Sequence, residues 1–171
     1  MLNTVLQNGV VIGACDKFDA HKIPSTPHLA FSIILVDENG KICLQRRSSA
    51  KLLWPLFWSN SCCSHPRHGE TVEAAVSRRV AEELGTDAFD LREVFQFKYC
   101  ARYQSVGMEN EYCHVWIGRI DSSRVDPNPL EVDAICHLSE KQVTSAMASA
   151  PNMFTPWFSI AWPIAMEFLH H

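Results

Sequence analysis

The chain has 171 residues, 47% hydrophobic and 20% charged, which is the balance of an ordinary globular protein long enough to bury a core. Its net charge of -4 excludes the broad basic face that a nucleic-acid or anionic-membrane binder presents, so any anion must meet a local basic cluster. A single domain over residues 1–171 is the expectation, binding a small molecule rather than nucleic acid or membrane.

Met1-Leu-Asn-Thr4 has neither the basic start nor the apolar run of a secretion signal. Residues 154–169 are the most apolar late segment, but they are too short to span a bilayer and contain Pro163. The 7 cysteines are odd in number and match no zinc-ribbon spacing. Reduced thiols in a cytoplasmic, monomeric protein are the expectation. His170-His171 is assigned no role.

Residues 4–7 and 10–14 read as two short strands hinged at Asn8-Gly9, a hairpin signal. Residues 16–21 can form one helical turn with Asp16 as N-cap. The stretch 22–27 then breaks regular structure, because each of its prolines fixes its own φ and restricts its predecessor. Residues 29–36 are a dense apolar run, expected as a central strand buried on both faces. Residues 37–40 read as a turn and 41–45 as a returning strand. A basic loop over 46–51, an aromatic loop over 54–58 and a short strand over 59–62 follow.

Residues 70–84 predict a helix, opened by His68-Gly69 with acidic residues early and stopped by Gly85. Strands are expected over 93–103, 111–120 and 132–138. Ser139 would N-cap a helix to 148, and Thr155 a last one to 168. Strands and helices mix without regular βαβ alternation, so the fold class expected is α+β, a mixed β-sheet sandwiched between helices.

On a helical wheel, Val72, Val76, Val80 and Leu84 form one buried stripe. Arg79 lies at its edge and Glu83 within it, where a core-facing helix should be apolar. Glu73 points the same way but in the first turn, where it can reach solvent. A snorkelling i, i+4 pair is one account of Arg79 and Glu83. The other is a polar cleft in which Glu83 binds a divalent cation and Arg79 an anion.

Counted back from Glu82-Glu83-Leu84-Gly85, the segment resembles the Nudix box, a loop-helix-loop of form G-x5-E-x7-R-E-U-x-E-E-x-G. Glu70, Arg78, Glu82, Glu83 and Gly85 fall on its signature positions. Ser64 stands where the box has its first glycine, and Arg79 where it has a metal-binding glutamate. Losing that glutamate thins the carboxylate cluster for catalytic Mg²⁺, which suits a diphosphate that is held but not cut.

The wider pattern is similar to the type I isopentenyl-diphosphate isomerases, a branch with the Nudix fold. It rests on Lys17-x3-His21, His28-Leu-Ala-Phe, Arg46-Arg47-x3-Lys51, Trp58-Ser-Asn-Ser-Cys-Cys63-Ser-His65-Pro, Arg78-Arg79-x3-Glu83-Leu-Gly, Glu109-Asn-Glu111 and Phe154-Thr-Pro-Trp157. The resemblance implies a divalent metal, Mn²⁺ or Zn²⁺, on His21, His28, His65, Glu109 and Glu111. It implies Mg²⁺ on Glu83 and the backbone carbonyl of Cys63. It makes Glu111 the acid with Tyr99 as partner, Cys63 the base, and Trp157 the π face that stabilises a carbocation. Lys17, Arg47, Lys51 and Arg79 would hold the diphosphate of isopentenyl diphosphate.

The residues carry part of this alone. Glutamates at i, i+2 on a strand share one face, as two ligands of one ion require. A thiol beside an imidazole and a cation has its thiolate favoured and its pKa lowered. Read singly, each histidine is a surface or hydrogen-bonded residue, Cys63 a small buried hydrophobe and Trp157 a core aromatic. A structural zinc site on Cys62, Cys63 and His65 lacks a second Cys/His pair. The rival functions are a Nudix pyrophosphohydrolase acting on a small diphosphate and a zinc-stabilised binding module.

Overall fold

In the computed structural model, residues 2–7 and 10–170 are described. Strands β1 (Leu2–Gln7) and β2 (Val10–Asp16) pair antiparallel, with Val5 opposite Gly13. The expected turn at Asn8-Gly9 lies outside the described residues. The Asp16 side chain accepts a hydrogen bond from the Phe18 N–H at 2.7 Å and caps the short helix α1 (Lys17–Ala20), which delivers His21.

The frame is β3 (His28–Val36), buried along almost its whole length. Along one edge it runs parallel to β8 (Gly107–Arg119), from His28 opposite Glu111 to Val36 opposite Arg119. It also pairs antiparallel with β4 (Ile42–Arg47) at Leu35 and Val36, and with β6 (Cys62–Ser64) from Phe31 to Ile33. β7 (Phe89–Tyr103) pairs antiparallel with β8, and β9 (Val132–Leu138) with β4. The sheet is mixed, as the sequence predicts.

Alternate side chains of β3 enter two apolar layers, the period-2 consequence of a strand with helices on both sides. Phe31, Ile33 and Leu35 meet Val76, Val80 and Leu84 of α2 (Val72–Leu84). Ala30 and Ile34 share the other layer with Val115 of β8 and with Trp157, Phe158 and Trp162 of α4 (Pro156–Ala165). Each such large side chain contributes roughly 1.5–3 kcal/mol by leaving water. The α+β class therefore stands. Among the described residues, no helix is long and apolar enough to cross a membrane.

Several expected boundaries move, each because a distant partner decides them. Arg46 and Arg47 belong to β4 rather than to a basic loop, since β9 supplies partners at Ala134 and Val132. The single strand expected over 59–62 is two: β5 (Trp58–Ser59) pairs β4, and β6 pairs β3. Side chains bridge the gap between them. Asn60 donates to the Ile33 and Cys62 carbonyls, and Ser61 donates to the Cys43 carbonyl while accepting from the Leu35 N–H.

Helix α2 starts at Val72 rather than at residue 70, because Thr71 takes the N-cap and accepts from the Ala74 N–H at 3.2 Å. Gly85 closes it at φ 67, and a Cβ there would lie 2.2 Å from the Asp126 carbonyl oxygen. Helix α3 (Glu140–Ser149) has the full capping box of Ser139 with Gln142. Thr155 precedes α4 without capping it through its side chain; its hydroxyl lies 2.9 Å from that of Ser59. A 3₁₀ turn over Met166–Phe168 replaces the last part of the expected helix.

Candidate active site

The register of three strands assembles the centre. Glu111 on β8 lies opposite His28 of β3 on one side and opposite Tyr99 of β7 on the other. Glu109, two residues earlier, is on the same face, and both glutamates are buried. β8 begins four residues before the expected position because its polar start is held by Ala101 opposite Glu109 and by the Met108 N–H donating to the His21 carbonyl. Gly107 permits that approach: a Cβ there would lie 2.8 Å from the His21 carbonyl oxygen.

His65 follows β6 and completes the group. One donor atom from each of His21, His28, His65, Glu109 and Glu111 lies within 4.8 Å of every other, and all five residues are buried. The contacts behind two imidazoles fix their chemistry. The His21 Nδ1–H donates to the Lys17 carbonyl at 2.6 Å, and the His28 Nδ1–H to the Thr26 carbonyl at 2.7 Å. A carbonyl only accepts, so each Nδ1 carries a proton and Nε2 is the ring nitrogen that faces the centre, donating to a carboxylate when protonated and offering its lone pair to a metal when not.

Around that centre, His28 Nε2 and His65 Nε2 are 3.2 Å apart, and His65 Nε2 is 2.7 Å from Glu111 Oε1. His21 Nε2 lies 2.8 Å from Glu109 Oε2. Burial, reinforced by the neighbouring His28 and Lys17, holds His65 well below the ordinary imidazole range and therefore neutral. Burial opposes protonation of His21 too, but the hydrogen bond and charge of Glu109 outweigh it and raise that group. Lone pairs and carboxylates gathered in a buried cluster fit one divalent cation of the N- and O-binding kind.

The second oxygen of Glu111 faces elsewhere. The Tyr99 O–H donates to Glu111 Oε2 at 2.5 Å. Burial, with the Glu111 charge, pushes the Tyr99 phenol well above its usual value, so it stays a donor. Burial would raise the Glu111 carboxyl, but hydrogen bonds from its neighbours, His28 foremost, hold it below the ordinary range.

A cavity of about 390 Å³ opens over this group. Its wall holds Cys63, Tyr99 and Trp157, the candidate metal ligands His21, His65, Glu109 and Glu111, and the cations Lys17, Arg47 and Lys51. Burial lowers Lys17 below the usual lysine range, and the charges of Lys51 and Arg79 lower it further. Cations held this close to one another are relieved by a bound polyanion.

Two expectations change. Cys63 is not activated by the protein's own groups: burial pushes its thiol up to about 11, against the opposing Arg47 charge. Arg79 and Glu83 are buried as the broken helix pattern suggests, but they do not line the cavity. Arg79 is ion-paired with Glu83, lies 2.6 Å from Glu82 and 3.2 Å from Glu131, and reaches the site only through its neighbours. Lys51 links the two regions, with its Nζ 3.7 Å from Glu83 Oε1 and an ion pair to Glu131.

Glu131 carries no sequence signal, because its loop position has no periodicity, and neither does the cavity residue Leu53; Phe31 and Ser64, which stand in the quoted motifs, also line the cavity. Ser64 sits in β6 without positive φ, so the backbone there has no need of the glycine of the Nudix box. Glu70 and Arg78 form a two-pronged pair at 2.7 and 2.8 Å that braces the loop before α2.

The NUDIX domain family matches residues 26–158. The chain is 41% identical over 158 residues to an isopentenyl-diphosphate Delta-isomerase of Nocardia farcinica, covering 92% of this chain and 89% of that one. It is 43% identical over 150 residues to the enzyme of the same name from Brevibacterium linens, covering 87% and 82%. A MutT NUDIX hydrolase from Burkholderia pseudomallei shares the fold alone, at a TM-score of 0.64 and 19% identity over 80% of this chain and 96% of that one. On sequence, fold and domain match together, the chain belongs to the isopentenyl-diphosphate Delta-isomerase family of NUDIX-domain proteins.

Proposed function

We infer that this chain interconverts isopentenyl and dimethylallyl diphosphate, adding a proton at C4 and removing one from C2. The observation that carries the reading is one cavity holding a thiol, a tyrosine-bonded glutamate, an indole face and three cations. Protonating an unactivated alkene needs a well-placed acid and shelter for the tertiary cation that develops. Glu111 is the proposed acid, hydrogen-bonded to the Tyr99 O–H, and Cys63 the base at C2. Trp157, 3% exposed, offers a π face worth about 2 kcal/mol or more to a desolvated cation. The aromatic loop over 54–58 and helix α4 exclude the water that would capture it.

Lys17, Arg47 and Lys51 are the proposed diphosphate contacts at the wall, with Arg79 behind them. Glu83, on exchanging its ion pair with Arg79 for the metal, and the Cys63 carbonyl would hold Mg²⁺, and the three histidines with Glu109 and Glu111 a second ion, Mn²⁺ or Zn²⁺. When bound, these ions neutralise the diphosphate and fix the orientation of the Glu111 carboxylate. All seven cysteines are free, in keeping with a reducing cytoplasm. Hydrolysis is disfavoured because Arg79 occupies a carboxylate position of the Nudix box and engages Glu83 directly.

Incubation of metal-loaded protein with isopentenyl diphosphate and Mg²⁺ is expected to yield dimethylallyl diphosphate without release of phosphate. No isomer formed, or free pyrophosphate formed instead, would reject the reading. His28→Ala is expected to lower metal affinity by roughly 10-fold or more, since it removes one ligand of five. Isothermal titration of the apo-protein with Zn²⁺ or Mn²⁺ checks this independently of turnover; unchanged affinity would remove His28 from the ligand set.

A further inference from the structure

We infer that Arg47 is a positioning residue: it clasps the loop over 53–57 and thereby sets the cavity wall beside Cys63 and Trp157. One residue makes four hydrogen bonds to that loop. Its backbone N–H donates to the Phe57 carbonyl at 2.9 Å, and its carbonyl accepts from the Leu56 N–H at 3.0 Å. Its Nε–H donates to the Trp54 carbonyl at 3.0 Å, and Nη2–H to the Leu53 carbonyl at 2.9 Å.

The loop needs such a clasp. Trp54 and Leu56 have φ of 48 and 62, the left-handed region that side chains with a Cβ disfavour, and no glycine is present to relieve them. In this conformation the Trp54 ring meets Trp157 edge-on, with centroids 5.3 Å apart and planes at 87°. The Leu53 side chain is turned into the cavity wall.

The rest of the guanidinium is also engaged. It lies 5.2 Å from the Trp157 ring centroid, and Nη1 is 3.7 Å from Cys63 Sγ. A guanidinium has five N–H groups, so two at most remain for a diphosphate once these three are directed at the protein. A lysine would keep the charge but has no planar fork to hold two carbonyls at once.

The kinetic part of the test rests on the isomerase reading. In Arg47→Lys, kcat is expected to fall by roughly tenfold or more, since the wall shifts against the reacting groups. Inhibition by inorganic pyrophosphate, which senses charge, is expected to change by less than about threefold. Leu56 is 46% exposed and lines no part of the cavity. Glycine adopts its φ freely, so Leu56→Gly added to Arg47→Lys is expected to restore kcat by about threefold or more over Arg47→Lys alone.

Independently of turnover, amide hydrogen exchange over 53–57 should quicken in Arg47→Lys and slow again in the double variant. Weakened pyrophosphate inhibition with kcat retained, both falling together, or no change in exchange would each overturn the clasp. A wild-type protein without isomerase activity would reject the isomerase reading instead, and the exchange measurement would still decide the clasp.

Discussion

Cys63→Ala is expected to reduce turnover of isopentenyl diphosphate by roughly 10²–10⁴-fold, the usual worth of a positioned proton-transfer group. The backbone of Cys63 pairs with Ser32 in the sheet, and the residue lines the cavity. Truncation at Cβ therefore leaves the ladder, the His65 position and the carbonyl proposed for Mg²⁺ in place. Circular dichroism and metal content should match wild type while steady-state kcat collapses. A rate within a few-fold of wild type would show that the C2 proton leaves to another group. The neighbouring Cys62 is no substitute, because it is fully buried in the opposite layer beside α2.

Glu111→Gln should be comparably severe, again roughly 10²–10⁴-fold, because an amide keeps the shape but cannot carry the transferred proton. The glutamine oxygen can still accept from Tyr99, so the site should keep its geometry. Four other donors remain for the ion. In heavy water the wild-type protein should place deuterium in the new methyl group, and this incorporation should fall in step with turnover in the variant. Wild-type incorporation would move the acid elsewhere in the cavity, with Tyr99 the next group in line. If the loss followed metal depletion rather than proton transfer, metal analysis of the variant would reveal it.

Much of the frame was legible because it depends on local periodicity. The apolar run ending at Val36 reads as a two-faced central strand, and α2 shows its buried Arg79 and Glu83 as breaks in a clear stripe. Glu109 and Glu111 fall on one face of a strand by their spacing alone. The departures came from pairing. Nothing local separates Ser59 from Cys62 as members of two strands, since β4 and β3 claim them from opposite directions. The Cys63 thiol misleads for a similar reason: proximity to an imidazole in sequence says nothing about the burial that raises it to about 11.

By itself, then, the chain determined its α+β class and the faces of its main elements, and its family resemblance pointed to the five distant residues that the fold gathers as a candidate metal-ligand set. Only the tertiary structure decided that Glu111 stands between His28 and Tyr99, that Arg79 and Glu83 lie behind the cavity wall, and that Arg47 holds the loop that shapes it. Periodicity reports which way a side chain points on its own element. Register, partner choice and burial arise from backbone pairing between segments far apart, where a slip of one residue would turn every side chain to the other face.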